Sequence, residues 1–331
     1  MAKGKRFCRE KKSEEMKKET VLITGGAGFI GSYMARRLLS ENYKVVVADN
    51  LFTGKEENIP KGADFLKLDL GDRAAYNKLK DLSCEAVFHL AGQSSGEISF
   101  KDPVYDFNSH VMSTFLLLEW CRKRAVKRFI YASSMATYGD PDHLPIDEDH
   151  PQRPKTFYAA AKMSAEAYIK LFQTLGIDTT IMRLFSVYGP GQNLENKLQG
   201  IASIYLSYML EGAPIFVRGS KDRFRDLVYI TDVVDAWMAA FKNRSSFGRT
   251  YNVASGVKTK VEDLVEALRS AFGDKDYPVK YSKESTPGDQ FGVVADIKRI
   301  KGDLGWKPNV SLDEGIKKMV DFEKTRAGKN G

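Results

Sequence analysis

Six short apolar runs, spaced by helical stretches, constrain this chain more than any other feature of its sequence. They are Val21-Leu22-Ile23, Val45-Val46-Val47, Phe65-Leu66-Lys67-Leu68, Ala86-Val87-Phe88-His89-Leu90, Arg128-Phe129-Ile130-Tyr131-Ala132 and Thr179-Thr180-Ile181-Met182-Arg183-Leu184. Between them, residues 29–40, 103–124 and 156–175 carry apolar side chains at helical spacing. Runs this short and this continuously apolar fit strands buried on both faces, and the helices fit the crossovers that parallel strands need. The expected fold class is α/β, a doubly wound parallel sheet of the Rossmann kind. After residue 185 the rhythm loosens. Helices are expected near 197–211, 231–242, 261–272 and 312–325, with a strand near 214–217, as a smaller C-terminal α/β lobe.

The first turn reads Thr24-Gly25-Gly26-Ala27-Gly28-Phe29-Ile30-Gly31, after a strand and before a helix. A glycine triplet alone says little. In this setting it permits the tight turn, brings backbone amides against a pyrophosphate and puts the helix N-terminus on the charge. Asp49 ends the second run, 18 residues after Gly31. Its carboxylate can accept from both hydroxyls of an adenosine ribose and would repel a 2′-phosphate, so NAD is expected over NADP. Gly25, Gly28, Phe29, Ile30, Asn50, Asp69, Leu70, Leu90 and Ala91 are the further cofactor-binding candidates. The expected organisation is a basic flexible extension over 1–19, an NAD-binding domain over 20–185 joined by 226–255, and a substrate-binding lobe from 186–225 and 256–331.

Tyr158 and Lys162 make a Y-x-x-x-K, but so do Tyr76 and Lys80. Context separates them: Tyr158 opens a helix downstream of the strand that ends in Ser133-Ser134. At i, i+4 the two side chains share a helix face. An ammonium beside a phenol is expected to lower the phenol from its ordinary value near ~10 and so make it a base. Ser134 can hold the reacting oxygen. Together, Gly25/Gly28/Gly31, Asp49, Ser134, Tyr158 and Lys162 resemble the extended short-chain dehydrogenases that epimerise or dehydrate nucleotide sugars. Similar segments run from about 20 to 325: His89-Leu90-Ala91-Gly92, Tyr138-Gly139, Val187-Tyr188-Gly189-Pro190-Gly191, Arg225-Asp226 and Leu304-Gly305-Trp306.

The resemblance implies a nucleotide-sugar substrate and NAD, with Tyr158 and Lys162 also touching the cofactor. It places Ser134, Ser186, Arg225, Asp289 and Val293 against the substrate. Family dehydratases and decarboxylases carry acids just after the serine, and 3,5-epimerases a cysteine; here Met135-Ala136-Thr137 follow Ser134. That resembles UDP-galactose and UDP-N-acetylglucosamine 4-epimerases, and a small Val293 at their sugar gate implies room for an N-acetyl group. The alternatives are a 4-dehydrogenase or 4-ketoreductase, on a GDP- or CDP-sugar, and an NAD-binding sensor without turnover. Three positions depart from the family pattern. His110 stands for an Asn tied to proton relay, or else faces solvent or a backbone carbonyl. Ser186 stands for an Asn on the diphosphate. Thr286 stands for a phosphate-binding Arg, for which Arg223 or Lys221 could compensate.

Composition narrows the partners. Residues 1–19 hold eight Lys or Arg against four Glu, half of the net charge of +8, so the body of the chain shows no basic stripe for nucleic acid. No apolar stretch reaches the length of a membrane span and no signal peptide is expected. Cys8, Cys84 and Cys121 lack disulfide or metal spacing, and His89, His110, His143 and His150 form no zinc pattern. A cytoplasmic protein is expected. The helices 103–124 and 156–175, with Phe115, Leu116, Leu117, Tyr168, Leu171 and Phe172 outward, are similar to a pair that forms the dimer interface in the family, so the resemblance implies a homodimer.

Overall fold

The structure, a computed structural model, describes residues 18–282 and 290–330. Thr286 and Asp289 lie outside the described residues, as do 1–17. In chain order the elements are β1 (Thr20–Thr24), α1 (Phe29–Ser40), β2 (Lys44–Asp49), β3 (Asp64–Lys67), β4 (Ala86–His89), α2 (Gly96–Lys101) and α3 (Pro103–Phe107). There follow α4 (Ser113–Lys123), β5 (Arg128–Ser134), α5 (Phe157–Thr174), β6 (Asp178–Leu184), β7 (Ser186–Tyr188), α6 (Ile201–Leu210), β8 (Ile215–Arg218), β9 (Phe224–Arg225) and β10 (Leu227–Tyr229). The chain ends with α7 (Ile230–Lys242), β11 (Arg249–Val253), β12 (Thr259–Lys260), α8 (Val261–Phe272), β13 (Val279–Ser282), α9 (Lys298–Leu304) and α10 (Leu312–Asn330).

Seven strands form one parallel sheet in the order β11-β6-β5-β4-β1-β2-β3. It is the expected doubly wound α/β sheet. Strand periodicity explains why both faces need helices. Val21 and Ile23 of β1, with Val45 and Val47 of β2, pack on one side with Met34, Leu38, Val233 and Trp237 from α1 and α7. Leu22 and Val46, one residue out of phase, pack on the other with Leu117, Leu118, Ala165 and Ile169 from α4 and α5. Each large apolar side chain so buried contributes roughly 1.5–3 kcal/mol. A third cluster, with Leu206, Met209, Ile215, Val217, Leu264 and Met319, forms the core of the C-terminal lobe.

Strand order reverses at β1, which lies between β2 and β4. Chain ends that leave neighbouring strands in opposite directions open a crevice there. Thr24, Asp49, His89, Ser134 and Leu184 are the last residues of their strands and share that edge.

The single helix expected over 103–124 is interrupted. Asp102 caps α3 by accepting from the Tyr105 amide at 2.8 Å, with Pro103 in the first turn. A π-helical turn over Asn108–Met112 then separates α3 from α4. Such wide turns re-aim side chains at functional positions. This one carries His110 into the interior at 1% exposure, not to solvent.

Candidate active site

The crevice holds a cavity of about 600 Å³. Gly25, Gly28, Phe29, Ile30, Asp49, Asn50, Asp69, Leu70, Leu90 and Ala91 line one end. Ser134, Tyr158, Lys162, Ser186 and Arg225 line the same cavity. The structure therefore brings together the candidates for the cofactor and for the chemistry, although they come from elements scattered over some 200 residues of sequence.

The glycine turn fits a dinucleotide. Gly25 has φ +71°, and a Cβ there would sit 2.7 Å from the Ala91 nitrogen. A Cβ at Gly31 would come within 2.2 Å of the Gly25 carbonyl oxygen. Only glycine permits this approach of turn, helix and neighbouring strand. Asp49 accepts from the Ala27 amide at 3.0 Å and the Leu51 amide at 2.8 Å, so each oxygen is aimed by backbone. A carboxylate has room for about four donors, which leaves two places for ribose hydroxyls. Asn50 donates to Asp69 at 3.0 Å and Gly71 donates to the other Asp69 oxygen at 2.8 Å, which fixes the floor beside them.

Thr156 caps α5 by accepting from the Ala159 amide at 3.1 Å, which starts the helix at Phe157, one residue before Tyr158. Tyr158, Lys162 and Glu166 then recur at i, i+4 and i+8 on the buried face of α5. Lys162 donates to the Ala132 carbonyl at 2.7 Å, and its Nζ lies 4.8 Å from the Tyr131 ring centre and 6.0 Å from that of Tyr158. Burial lowers Lys162 to about 7, against the pull of Asp106 and Glu166. The expected lowering of Tyr158 is not what this geometry gives. Burial raises it to about 12, and the Ser134 hydrogen bond only partly opposes this. Desolvation outweighs the ammonium because the Lys162 charge is turned toward a backbone carbonyl and is itself weakened by burial.

Other candidates fall differently. Val293 is fully buried with Tyr138, Ile146, Phe185, Ala254 and Ala295. Arg223 lines the cavity, whereas Lys221 pairs with Glu262 at 2.8 Å outside it. Tyr76 lies away from the cavity and donates to the Leu70 carbonyl at 3.1 Å, which leaves the Tyr76/Lys80 spacing without a site. Lys197, Arg218, Phe52 and Tyr105 line the cavity unforeseen. They sit on loops and short elements without motif spacing, though clustered Arg residues at 218–225 are a signal of anion binding in hindsight. Among the described residues no group of His, Cys, Asp and Glu could hold a metal, and no helix is long and apolar enough to cross a membrane.

Residues 21–254 match the model of the NAD dependent epimerase/dehydratase family. The chain belongs to that family. It is 34% identical over 313 residues to the UDP-glucose 4-epimerase of Mycolicibacterium smegmatis, a match that covers 92% of this chain and 99% of that protein. A UDP-glucose 4-epimerase from Thermotoga maritima, solved with UDP-glucose, superposes with a TM-score of 0.89 at 34% identity over 93% of this chain and 99% of that one. The UDP-glucose 4-epimerase of Thermus thermophilus, solved with NAD, has a TM-score of 0.84 at 33% identity over 92% and 99%. This family member keeps the glycine turn, the aspartate and the Ser134/Tyr158/Lys162 set in one crevice.

Proposed function

We propose that this chain is an NAD-dependent 4-epimerase of a UDP-hexose or UDP-N-acetylhexosamine. The observation that carries this reading is the meeting of Ser134, Tyr158 and Lys162 with the glycine cradle in a single cavity, with no acid or thiol following Ser134. Gly25, Gly28 and the N-terminus of α1 would hold the NAD pyrophosphate, Asp49 the adenosine ribose, and Lys162 the ribose beside the nicotinamide. When bound, NAD supplies the acceptor and donor of the carbon-4 hydride, and its oxidised ring adds the positive charge that Tyr158 needs to ionise in so dry a place. Tyr158 takes the proton from the carbon-4 hydroxyl and later returns it. Ser134 holds that oxygen by hydrogen bond, and Ser186, Arg223 and Arg225 face the diphosphate. Asp289 belongs to the same proposed contact set from outside the described residues. The lobe of 186–225 and 256–331 carries the nucleotide and the sheet domain the cofactor. The enzyme works in the cytoplasm, consistent with free, buried thiols at Cys84 and Cys121.

The test is incubation of the purified protein with UDP-glucose, UDP-galactose and their N-acetylated forms, with bound cofactor identified by mass spectrometry. Interconversion of a 4-epimer pair without net NADH is expected. Stoichiometric NADH release at 340 nm would instead make it a dehydrogenase.

Asp49→Ala is expected to narrow the preference for NAD over NADP by at least ~10-fold, since it removes both the ribose acceptor and the repulsion of a 2′-phosphate. Calorimetric titration of both cofactors into wild type and variant checks this; an unchanged ratio refutes the role of Asp49.

We further propose a homodimer through α3 and α5. The exposed apolar residues of α3 and α5 include Val104 (68%), Phe107 (49%), Phe157 (49%), Tyr168 (39%) and Leu171 (61%). This revises the expected set, because Leu116, Leu117 and Phe172 turn inward to the core. Exposed apolar side chains of this size suit an association surface, and a twofold axis would let it pair with itself. Light scattering at micromolar concentration is expected to give twice the chain mass, and Leu171→Glu with Val104→Glu to give the monomer. A monomeric wild type overturns the proposal.

A further inference from the structure

The loop that follows Asp49 carries an exposed aromatic ring that the chemistry does not use. Leu51 there has φ +61°, a left-handed backbone that a residue other than glycine rarely adopts. Asn50 holds the turn: its Oδ1 accepts from the Phe52 amide at 3.0 Å, and its side-chain amide donates to Asp69 at 3.0 Å. Further on, the Lys55 amide donates to the Ala27 carbonyl at 3.1 Å, and the Asn58 side chain donates to the same oxygen at 2.9 Å. The loop is thus tied down on both sides of Phe52, to Asp69 and to the glycine turn. Between the ties, Phe52 lines the cavity and is 60% exposed, which puts its ring at the rim. Strained backbone held in place by its surroundings collects at ligand clamps.

Tyr105 meets that ring from the other side. Phe52 follows β2 and Tyr105 lies in α3, after β4, and β1 stands between β2 and β4 in the sheet. The two side chains therefore come from opposite banks of the crevice. Their ring centres are nevertheless only 4.6 Å apart, with the planes tilted by 37°. Aromatic rings in contact have centres about 4.5–7 Å apart, so this pair is closed and no base fits between the rings. The Tyr105 bank is fixed, because the Tyr105 amide is the donor to the Asp102 cap of α3. Both rings line the cavity together with Asp49, Asn50 and Asp69, the residues placed at the adenosine.

We propose that Phe52 and Tyr105 form an aromatic clasp across the adenosine end of the cofactor groove, which must part each time NAD enters or leaves and so sets how long the enzyme keeps its NAD. The proposal rests on the placing of the adenosine ribose at Asp49. A 4-epimerase returns the hydride to the sugar that gave it, so it gains by holding one cofactor through many turnovers. A dehydrogenase has to exchange the cofactor in every cycle, and a closed clasp would slow it. The strength of one aromatic pair corresponds to a factor of about 3–10 in the rate of opening.

Cofactor exchange tests this without any sugar. Protein loaded with NAD is mixed with excess NADH, and the growth of bound-NADH fluorescence reads the release of NAD; calorimetric titration gives Kd. Phe52→Ala is expected to speed release about 3–10-fold and to change Kd less than about 2-fold, because a clasp that opens more easily speeds entry and exit alike. Tyr105→Ala is expected to do the same. The double variant should release NAD no faster than the faster single one, since the contact is already lost when one ring is gone. Tyr105→Phe keeps the ring and should keep the wild-type rate. Phe52 is exposed on a loop, so its truncation leaves the core untouched. Unchanged release in Phe52→Ala overturns the proposal. So does a Kd weakened by the same factor as release is speeded, which would make the ring a plain contact of NAD. A double variant whose effect is the product of the two single effects overturns the pairing. The Asp49→Ala titration judges the ribose placing separately, and the incubation with UDP-sugars judges the epimerase reading.

Discussion

Tyr158→Phe is expected to lower turnover at least ~100-fold while the protein still binds NAD, in line with the contribution of a positioned acid–base group. The ring stays, so the packing against His110 and the 6.0 Å approach of the Lys162 ammonium to it stay as well. What is lost is the hydroxyl in the cavity that lies between Ser134 and the buried side of α5. The pH dependence follows from its surroundings. Burial holds Tyr158 up at about 12, so at neutral pH the phenol is the resting form and the phenolate fraction grows as pH rises. Wild-type turnover should therefore climb from pH 6 toward pH 8, and the residual activity of Tyr158→Phe should lack that climb. Tyr76→Phe is the comparison. Its hydroxyl donates to the Leu70 and Ser113 carbonyls, and Tyr76 itself does not line the cavity, so turnover should hold and stability fall by about 1 kcal/mol. Equal losses of turnover in the two variants would remove Tyr158 from the mechanism.

Arg183→Met should destabilise the fold by about 3–5 kcal/mol, the cost of leaving a buried carboxylate without its cation. Arg183 and Glu166 are 3% and 1% exposed, and the guanidinium meets the carboxylate through two hydrogen bonds. Arg183 also donates to the Glu148 carbonyl at 3.0 Å and stacks over the Tyr138 ring at 4.7 Å, so β6, α5 and the 135–150 segment all lean on it. The double variant Arg183→Met/Glu166→Leu should recover most of the loss, because it leaves no charge unmatched. Urea unfolding midpoints of wild type and the two variants give the comparison. A single variant within about 1 kcal/mol of wild type would show that water reaches Glu166.

How far the sequence could be read depended on whether a residue's role was local. The apolar runs placed the strands, because a strand covered on both sides must be apolar throughout, and each run named above lies in the central sheet. The glycine turn was legible for the same reason: its backbone conformation can be adopted only by residues that declare themselves. Less legible were roles that need neighbours from elsewhere. Whether Val293 faces a sugar depends on Tyr138 and Phe185, far away in sequence. Which apolar residues of α4 and α5 stay outside depends on how the helices rotate against the sheet. The Tyr158 shift runs opposite to the expectation because spacing shows that Lys162 is close, and not how fully the phenol is buried. His110 could be seen as out of pattern, but its enclosure follows from a π turn that no periodicity announces.

The helix α5 has one side committed to Tyr158, Lys162 and Glu166 and the other, in the proposed dimer, to a second copy of the chain through Phe157 and Leu171. Sliding it by one residue turns it by about 100° and would carry the phenol out of the crevice and the apolar stripe out of the interface in the same movement. In the proposed dimer, association and catalysis would share a common register, and a protomer separated from its twin would lose the outer brace that keeps the inner stripe aimed.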